Sequence, residues 1–180
     1  MRVFVAVEIN DQNTLDNIIQ FQNNFNINAK AILPNQIHFT LQFLGEIDEK
    51  IIEKITNVLT SIKFSRFDIT IQGVGGFPKN KSPRVIWLGV DKTGGALISN
   101  LAKQVHDKLL ELGLTNDKTF KPHITVFRVK NKVSDMTDEL AKFNSKIFGT
   151  QQISQIKLKK STLTPSGPIY EDLAVVEARK

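Results

Sequence analysis

The 180-residue chain contains three histidines, and two of them head the same four-residue pattern: His38-Phe39-Thr40-Leu41 and His123-Ile124-Thr125-Val126. Successive side chains of a β-strand point to opposite faces. Each His therefore shares a face with the Thr two positions on, while Phe39 and Leu41, or Ile124 and Val126, take the other face. Around the first copy, Ile37, Phe39, Leu41 and Phe43 form the buried row, and His38, Thr40 and Gln42 the wet one. Imidazole changes charge near neutral pH, so two imidazoles across one cleft supply a base and an acid together. One, deprotonated, activates a water; the other, protonated, gives a proton to the leaving oxygen. Thr hydroxyls and backbone N–H groups beside them hold anionic oxygens. This predicts in-line displacement at phosphorus in a diester, with an alkoxide leaving group, no metal and no cofactor.

The competing use of paired histidines is metal binding. That needs a third ligand, usually a carboxylate, and no His-x-x-x-His spacing or acidic motif lies beside either His. Cysteine is absent, which removes disulfides, thiolate catalysis and cysteine-based zinc or iron–sulfur sites. His106 falls at the edge of an apolar helical stripe and reads as a boundary residue. Strict alternation turns Arg128 away from His123, so only a bulge or strand end aims it at a phosphate; otherwise it is a surface charge. The stretch Gly73–Pro83 lacks the spacing of a phosphate-binding loop. Within it, Phe77 either stacks on a base or anchors the core, and the anchor is the preferred reading. Lys157, Lys159 and Lys160 form either a basic strip or a solvated strand.

The elements that position these residues follow from periodicity. Strands are expected at Arg2–Ile9, Ile37–Leu44 (ended by Gly45), Arg66–Gln72, Arg84–Val90, His123–Val129, Gln152–Lys160 and Ile169–Glu177. Asn10 or Asp11 caps a helix carrying Leu15, Ile18, Ile19 and Phe25. Asp48 caps a second, with Ile51, Ile52, Ile55, Val58, Leu59 and Ile62 on one stripe. A third follows Gly94-Gly95 and runs to Gly113, and a fourth, capped by Ser134 or Asp135, carries Met136, Leu140, Phe143 and Ile147. Each half then reads strand, helix, His-strand, helix, strand. Such a duplication packs about a pseudo-twofold axis and puts His38 and His123 on opposite sides of one cleft. Buried parallel strands would be continuously apolar, whereas these alternate. The expected fold is α+β: a two-lobed, pseudo-symmetric single domain over residues 1–180, its mostly antiparallel sheets lining a central cleft with helices outside.

An apolar fraction of 41% supplies a core, and no run is long enough to span a membrane. The start, Met1-Arg2-Val3-Phe4-Val5-Ala6-Val7-Glu8, reads as a first strand and not as a signal peptide, so a cytoplasmic protein is expected. The formal charge of +6 favours a polyanionic partner such as nucleic acid, although solubility alone also accounts for it.

These residues resemble the two-histidine phosphoesterase superfamily, and within it the RNA 2′,3′-cyclic phosphodiesterase family, also called 2′-5′ RNA ligase or LigT-like. The resemblance covers the whole length: Phe4-Val5-Ala6-Val7, both His motifs with Phe43-Leu44-Gly45 and Arg128, Gly76-Phe77-Pro78, Arg84-Val85-Ile86-Trp87-Leu88-Gly89, Ser161-Thr162-Leu163 and Gly167-Pro168-Ile169-Tyr170. Relatives often carry a Trp shortly before the first His, where this chain has Ala31-Ile32. The resemblance implies hydrolysis of a terminal RNA 2′,3′-cyclic phosphate to a 2′-phosphomonoester. It implies His38 as proton donor, His123 as proton acceptor, and Thr40, Thr125 and Arg128 as phosphate-binding residues. It further implies action on RNA ends, tRNA halves among them, with 2′-5′ ligation when an RNA 5′-hydroxyl replaces water; a monomer is expected. Two other readings stand beside it: a non-catalytic RNA-end-binding module, and a phosphodiesterase for small cyclic nucleotides or ADP-ribose cyclic phosphate.

Overall fold

A computed structural model describes all 180 residues, Met1–Lys180. The chain runs β1 (Arg2–Glu8), α1 (Gln12–Asn24), β2 (Lys30–Ala31), β3 (His38–Glu46), α2 (Ile52–Thr60), β4 (Phe67–Phe77), β5 (Val85–Val90), α3 (Lys92–Leu110), β6 (Ile124–Arg128), α4 (Thr137–Ala141), β7 (Ile147–Ile153), β8 (Gln155–Thr164) and β9 (Gly167–Glu177). Two sheets form, in the orders β3-β1-β8-β9 and β2-β6-β5-β4-β7. All their pairings are antiparallel. This is the expected α+β architecture, with one exchange the duplication does not announce. The first half sends β4 into the second sheet, and the second half returns β8 and β9 to the first. The helices cross as well: α1 packs on β7 and β6, and α3 on β3 and β4.

Alternation builds the core. Val3, Val5 and Val7 of β1 point inward, as do Phe39 and Leu41 of β3, Ile124 and Val126 of β6, and Ile156 and Leu158 of β8. They join α2 through Ile55 and Leu59, and α3 through Ile98, Leu101, Val105 and Leu109, in one continuous apolar cluster. That cluster spans both sheets, so burial of apolar area holds the cleft between them at a set width.

Several boundaries differ from the sequence expectation. The stretch Gly73–Phe77 is not loop but the second half of β4, paired with β5. A Cβ on Gly75 would fall inside the Trp87 indole, so glycine is there to let the ring lie against the strand, not to make a turn. Helix α3 begins at Lys92, before Gly94-Gly95. Its cap is Asp91, whose carboxylate accepts from Gly94 N at 3.0 Å and from Thr70 N at 2.8 Å. Strand β3 continues through Gly45 to Glu46. Helix α4 is a single turn that stops at Ala141, and Ile147, expected on it, is exposed at the start of β7. The strand expected at Gln152–Lys160 is split: Gln152 and Ile153 close strand β7, whose earlier residues lie outside that expectation. Strand β7 pairs with β4 and ends at Ile153, where Ser154 separates it from β8.

Candidate active site

Both His strands carry the same irregularity. Val5 pairs with Gln42 and Ala6 with Thr40, so Leu41 has no partner on β1. Ile86 pairs with Phe127 and Trp87 with Thr125, so Val126 has none on β5. Each is the fourth residue of its motif, and each forms a β-bulge that advances the alternation by one. The consequences are matched. Leu41 and Gln42 are both buried, and Phe43 emerges on the face of His38 and Thr40. Val126 and Phe127 are both buried, and Arg128 emerges on the face of His123 and Thr125. The expected faces of Gln42 and Phe43 are thus reversed, because the bulge at Leu41 lies between them and Thr40.

Between the sheets lies a cavity of about 990 Å³, lined by His38, Thr40, His123, Thr125 and Arg128 together. His38 Nδ1 lies 2.7 Å from the Gln36 carbonyl, and His123 Nδ1 lies 2.6 Å from the Lys121 carbonyl. A carbonyl only accepts, so Nδ1 carries the hydrogen in both rings and Nε2 is the nitrogen without it. In His38 that Nε2 stands 3.0 Å from Thr40 Oγ1. The β8–β9 hairpin forms one rim. Lys30 Nζ donates to the Ser166 carbonyl and Gln36 Nε2 to the Pro168 carbonyl, both at 2.7 Å. The hairpin is thereby tied to β2 and to the turn that leads into His38.

A family model described as AKAP7 2′5′ RNA ligase-like domain matches residues 2–177 of this chain. The chain belongs to that family. A protein of Archaeoglobus fulgidus named RNA 2′,3′-cyclic phosphodiesterase is 41% identical to this 2′5′ RNA ligase-like chain over 179 residues, covering 98% of this chain and 100% of that one. One of the same name from Methanocaldococcus jannaschii is 35% identical and covers 95% and 97%. The crystal structure of the Thermus thermophilus protein TT0787 superposes with a TM-score of 0.81 at 27% identity, covering 98% of this chain and 97% of that one. E. coli LigT complexed with 3′-AMP shares the fold, with a TM-score of 0.81 at 20% identity and coverage of 99% and 98%.

In this 2′5′ RNA ligase-like site the surroundings of His38 are specific. Its ring packs 5.2 Å from Phe4 and 5.6 Å, edge-on, from Tyr170. Burial pushes the His38 imidazole below its ordinary range, and the Lys159 and Arg128 charges act the same way. The Gln36 hydrogen bond and the Glu8 charge oppose the shift without reversing it. Beside the ring, Lys157 and Lys159 alternate with Glu8 and Asp172, and Glu8, Lys159 and Asp172 line the same cavity. Lys157 lies 2.7 Å from Glu8 and 2.8 Å from Asp172, Lys159 lies 2.5 Å from Asp172, and Lys159 also pairs with Glu8. This quartet is neutral overall. Arg128 takes part in none of the ion pairs and is left as a free cation in the cavity.

Sequence reasoning misses the quartet, because nothing along the chain links Glu8 to residues 157–172. Lys157 and Lys159 are not a free basic strip but its cationic half, and Lys160 pairs with Glu171 at 3.6 Å. Tyr170, the single tyrosine of the chain, enters the sequence reading only as part of the Gly167-Pro168-Ile169-Tyr170 segment and is given no place in the site there. Phe77 is 62% exposed at the end of β4 and anchors no core. His106 is partly buried on α3 and lines a separate pocket with Leu41 and Gln42. Ala31 and Ile32, where relatives often carry Trp, line the main cavity. No helix is long and apolar enough to cross a membrane. No group of three or more His, Cys, Asp or Glu side chains is arranged to hold a metal ion.

Proposed function

We propose that this protein hydrolyses the terminal 2′,3′-cyclic phosphodiester of RNA to a 2′-phosphomonoester, without a metal or cofactor. One observation carries the reading: two imidazoles, each with Nδ1 committed to a backbone carbonyl and Nε2 left for side-chain or substrate partners, share one cavity with two threonines and an unpaired arginine. The names of the archaeal relatives and the family assignment support the same reaction class. Nε2 of His123 takes a proton from water as its oxygen attacks phosphorus. The bond to the 3′-oxygen breaks in line, and Nε2–H of His38 delivers a proton to that oxygen. The bond to the 2′-oxygen stays. Thr40, Thr125 and Arg128 hold the non-bridging oxygens, the guanidinium by charge-assisted hydrogen bonds. Because ring opening is reversible, an RNA 5′-hydroxyl in place of water gives a 2′-5′ linkage, and tRNA halves offer both ends. Residues 1–180 work as one two-lobed domain, a monomer in the cytoplasm.

The test is an RNA oligonucleotide ending in a 2′,3′-cyclic phosphate, incubated with enzyme and EDTA and followed by phosphorus NMR. A 2′-phosphate product is the expected result. A 3′-phosphate would reverse which oxygen departs. An RNA that binds and stays unchanged would replace the enzyme with an RNA-end-binding module.

A further inference from the structure

We infer that the first sheet carries a second nucleotide site, in which Phe43, with Arg2, stacks the nucleoside that precedes the cyclic-phosphate end. The inference rests on the proposed reaction and extends it from the terminal group to the RNA body. In-line displacement puts the entering and departing oxygens on opposite sides of phosphorus. Water enters beside His123, so the 3′-oxygen and its ribose lie on the His38 side. The rest of the RNA is joined to that ribose through its 5′-oxygen, and so runs out over the sheet that carries His38.

On that sheet face His38 stands opposite Glu8, Thr40 opposite Ala6 and Phe43 opposite Phe4. Glu8 to Phe4 is four strand residues, about 13 Å. Phe43 lies outside the lining of the cavity that takes the cyclic phosphate, yet on the same face and next in line along the strand. The bulge at Leu41 removes Phe43 from the core, and 46% of its surface is exposed. Packing, Arg2 included, covers about half of the residue and leaves the rest open to solvent. The Arg2 guanidinium sits 5.0 Å from the ring centroid and joins no ion pair. An exposed ring backed by a planar cation on an open sheet face suits a nucleobase and its phosphate, and base–aromatic stacking tolerates any base. The two bulged strands thus offer different groups at matched positions: Arg128 toward the phosphate, Phe43 toward a base.

The test compares kcat/KM for a nucleoside 2′,3′-cyclic monophosphate with that for a trinucleotide ending in the same group. Wild type is expected to favour the trinucleotide. Phe43→Ala should lower the trinucleotide-to-mononucleotide ratio about tenfold, and Phe43→Trp should restore it. A wild type that treats both substrates alike, or a ratio unmoved in Phe43→Ala, overturns the second site. If wild type turns over neither substrate, the proposed reaction falls. Fluorescence anisotropy of the trinucleotide then decides the platform separately: weaker binding by Phe43→Ala retains it, and equal binding removes it.

Discussion

His38 and His123 are held alike but surrounded differently, and the difference makes the pH profile informative. The partly buried ring of His38 favours its neutral form in the empty cleft, whereas the proposed proton donor has to be charged. A bound phosphate anion stabilises the charged form. The alkaline limb of kcat/KM, which reports the free enzyme, is therefore expected at lower pH than the alkaline limb of kcat. Initial rates across pH 5–9 check this, and coincident limbs would contradict the assignment of His38 as donor. The same shift bears on stability. With the folded value below the unfolded one, about 6.5, the unfolded chain binds the extra proton, so this contribution is present above 6.5 and lost as pH falls through the folded value. Replacing either His by Ala should lower kcat by at least about 100-fold. Circular dichroism should show the fold retained, since both side chains line the cavity between the sheets.

The bulges at Leu41 and Val126 and the cap at Asp91 show how local geometry governs what each strand and helix presents. The His-x-Thr spacing alone shows that His and Thr share a face. It cannot show that the next residue is bulged, because a bulge arises from registry with β1 and β5, strands distant in the chain. Arg128 is accordingly legible as a candidate whose direction depends on a bulge, while strict alternation puts Phe43 and Gln42 on the wrong faces. The Asp91 cap hides behind Gly94-Gly95, and Gly94 serves close packing against Ile69. Asp91→Ala should destabilise by about 1–2 kcal/mol, read as a lower urea midpoint. The ion quartet makes a second stability prediction. Burial raises the Glu8 and Asp172 carboxyls, but hydrogen bonds and charge from Lys157 and Lys159 outweigh it and hold both below their ordinary values. Their contribution is present above the ordinary carboxylate range and lost as pH falls through the lowered values. Lys159→Met leaves two partly buried carboxylates sharing one lysine. It should cost about 2 kcal/mol at neutral pH, below the figure for a fully buried pair because solvent reaches Asp172, and less in acid. Chemical denaturation at pH 7 and again below pH 3.8, the ordinary aspartate value, checks both parts.

Taken together, the two sheets, their exchanged strands and the shared apolar cluster turn a pair of surface motifs into the walls of one cavity. A neutral quartet beside His38, with Arg128, Lys30 and Lys130 outside any ion pair, leaves that cavity net positive in a chain of formal charge +6. RNA binding should weaken with salt along a linear log–log plot, and Arg128→Ala should flatten the slope by about 0.7. Titrations of a cyclic-phosphate oligonucleotide between 50 and 300 mM salt measure it, and an unchanged slope would place Arg128 outside the phosphate site. The residue order by itself determined the strand and helix periods, the antiparallel α+β architecture and the duplicated His-x-Thr pattern, because these depend on side-chain alternation over a few positions. Only the tertiary structure decided the bulges, the Glu8–Lys157–Lys159–Asp172 quartet and the exchange of β4 for β8 and β9. Each of these is a contact between segments far apart in the chain, and long-range pairing leaves no local period to read.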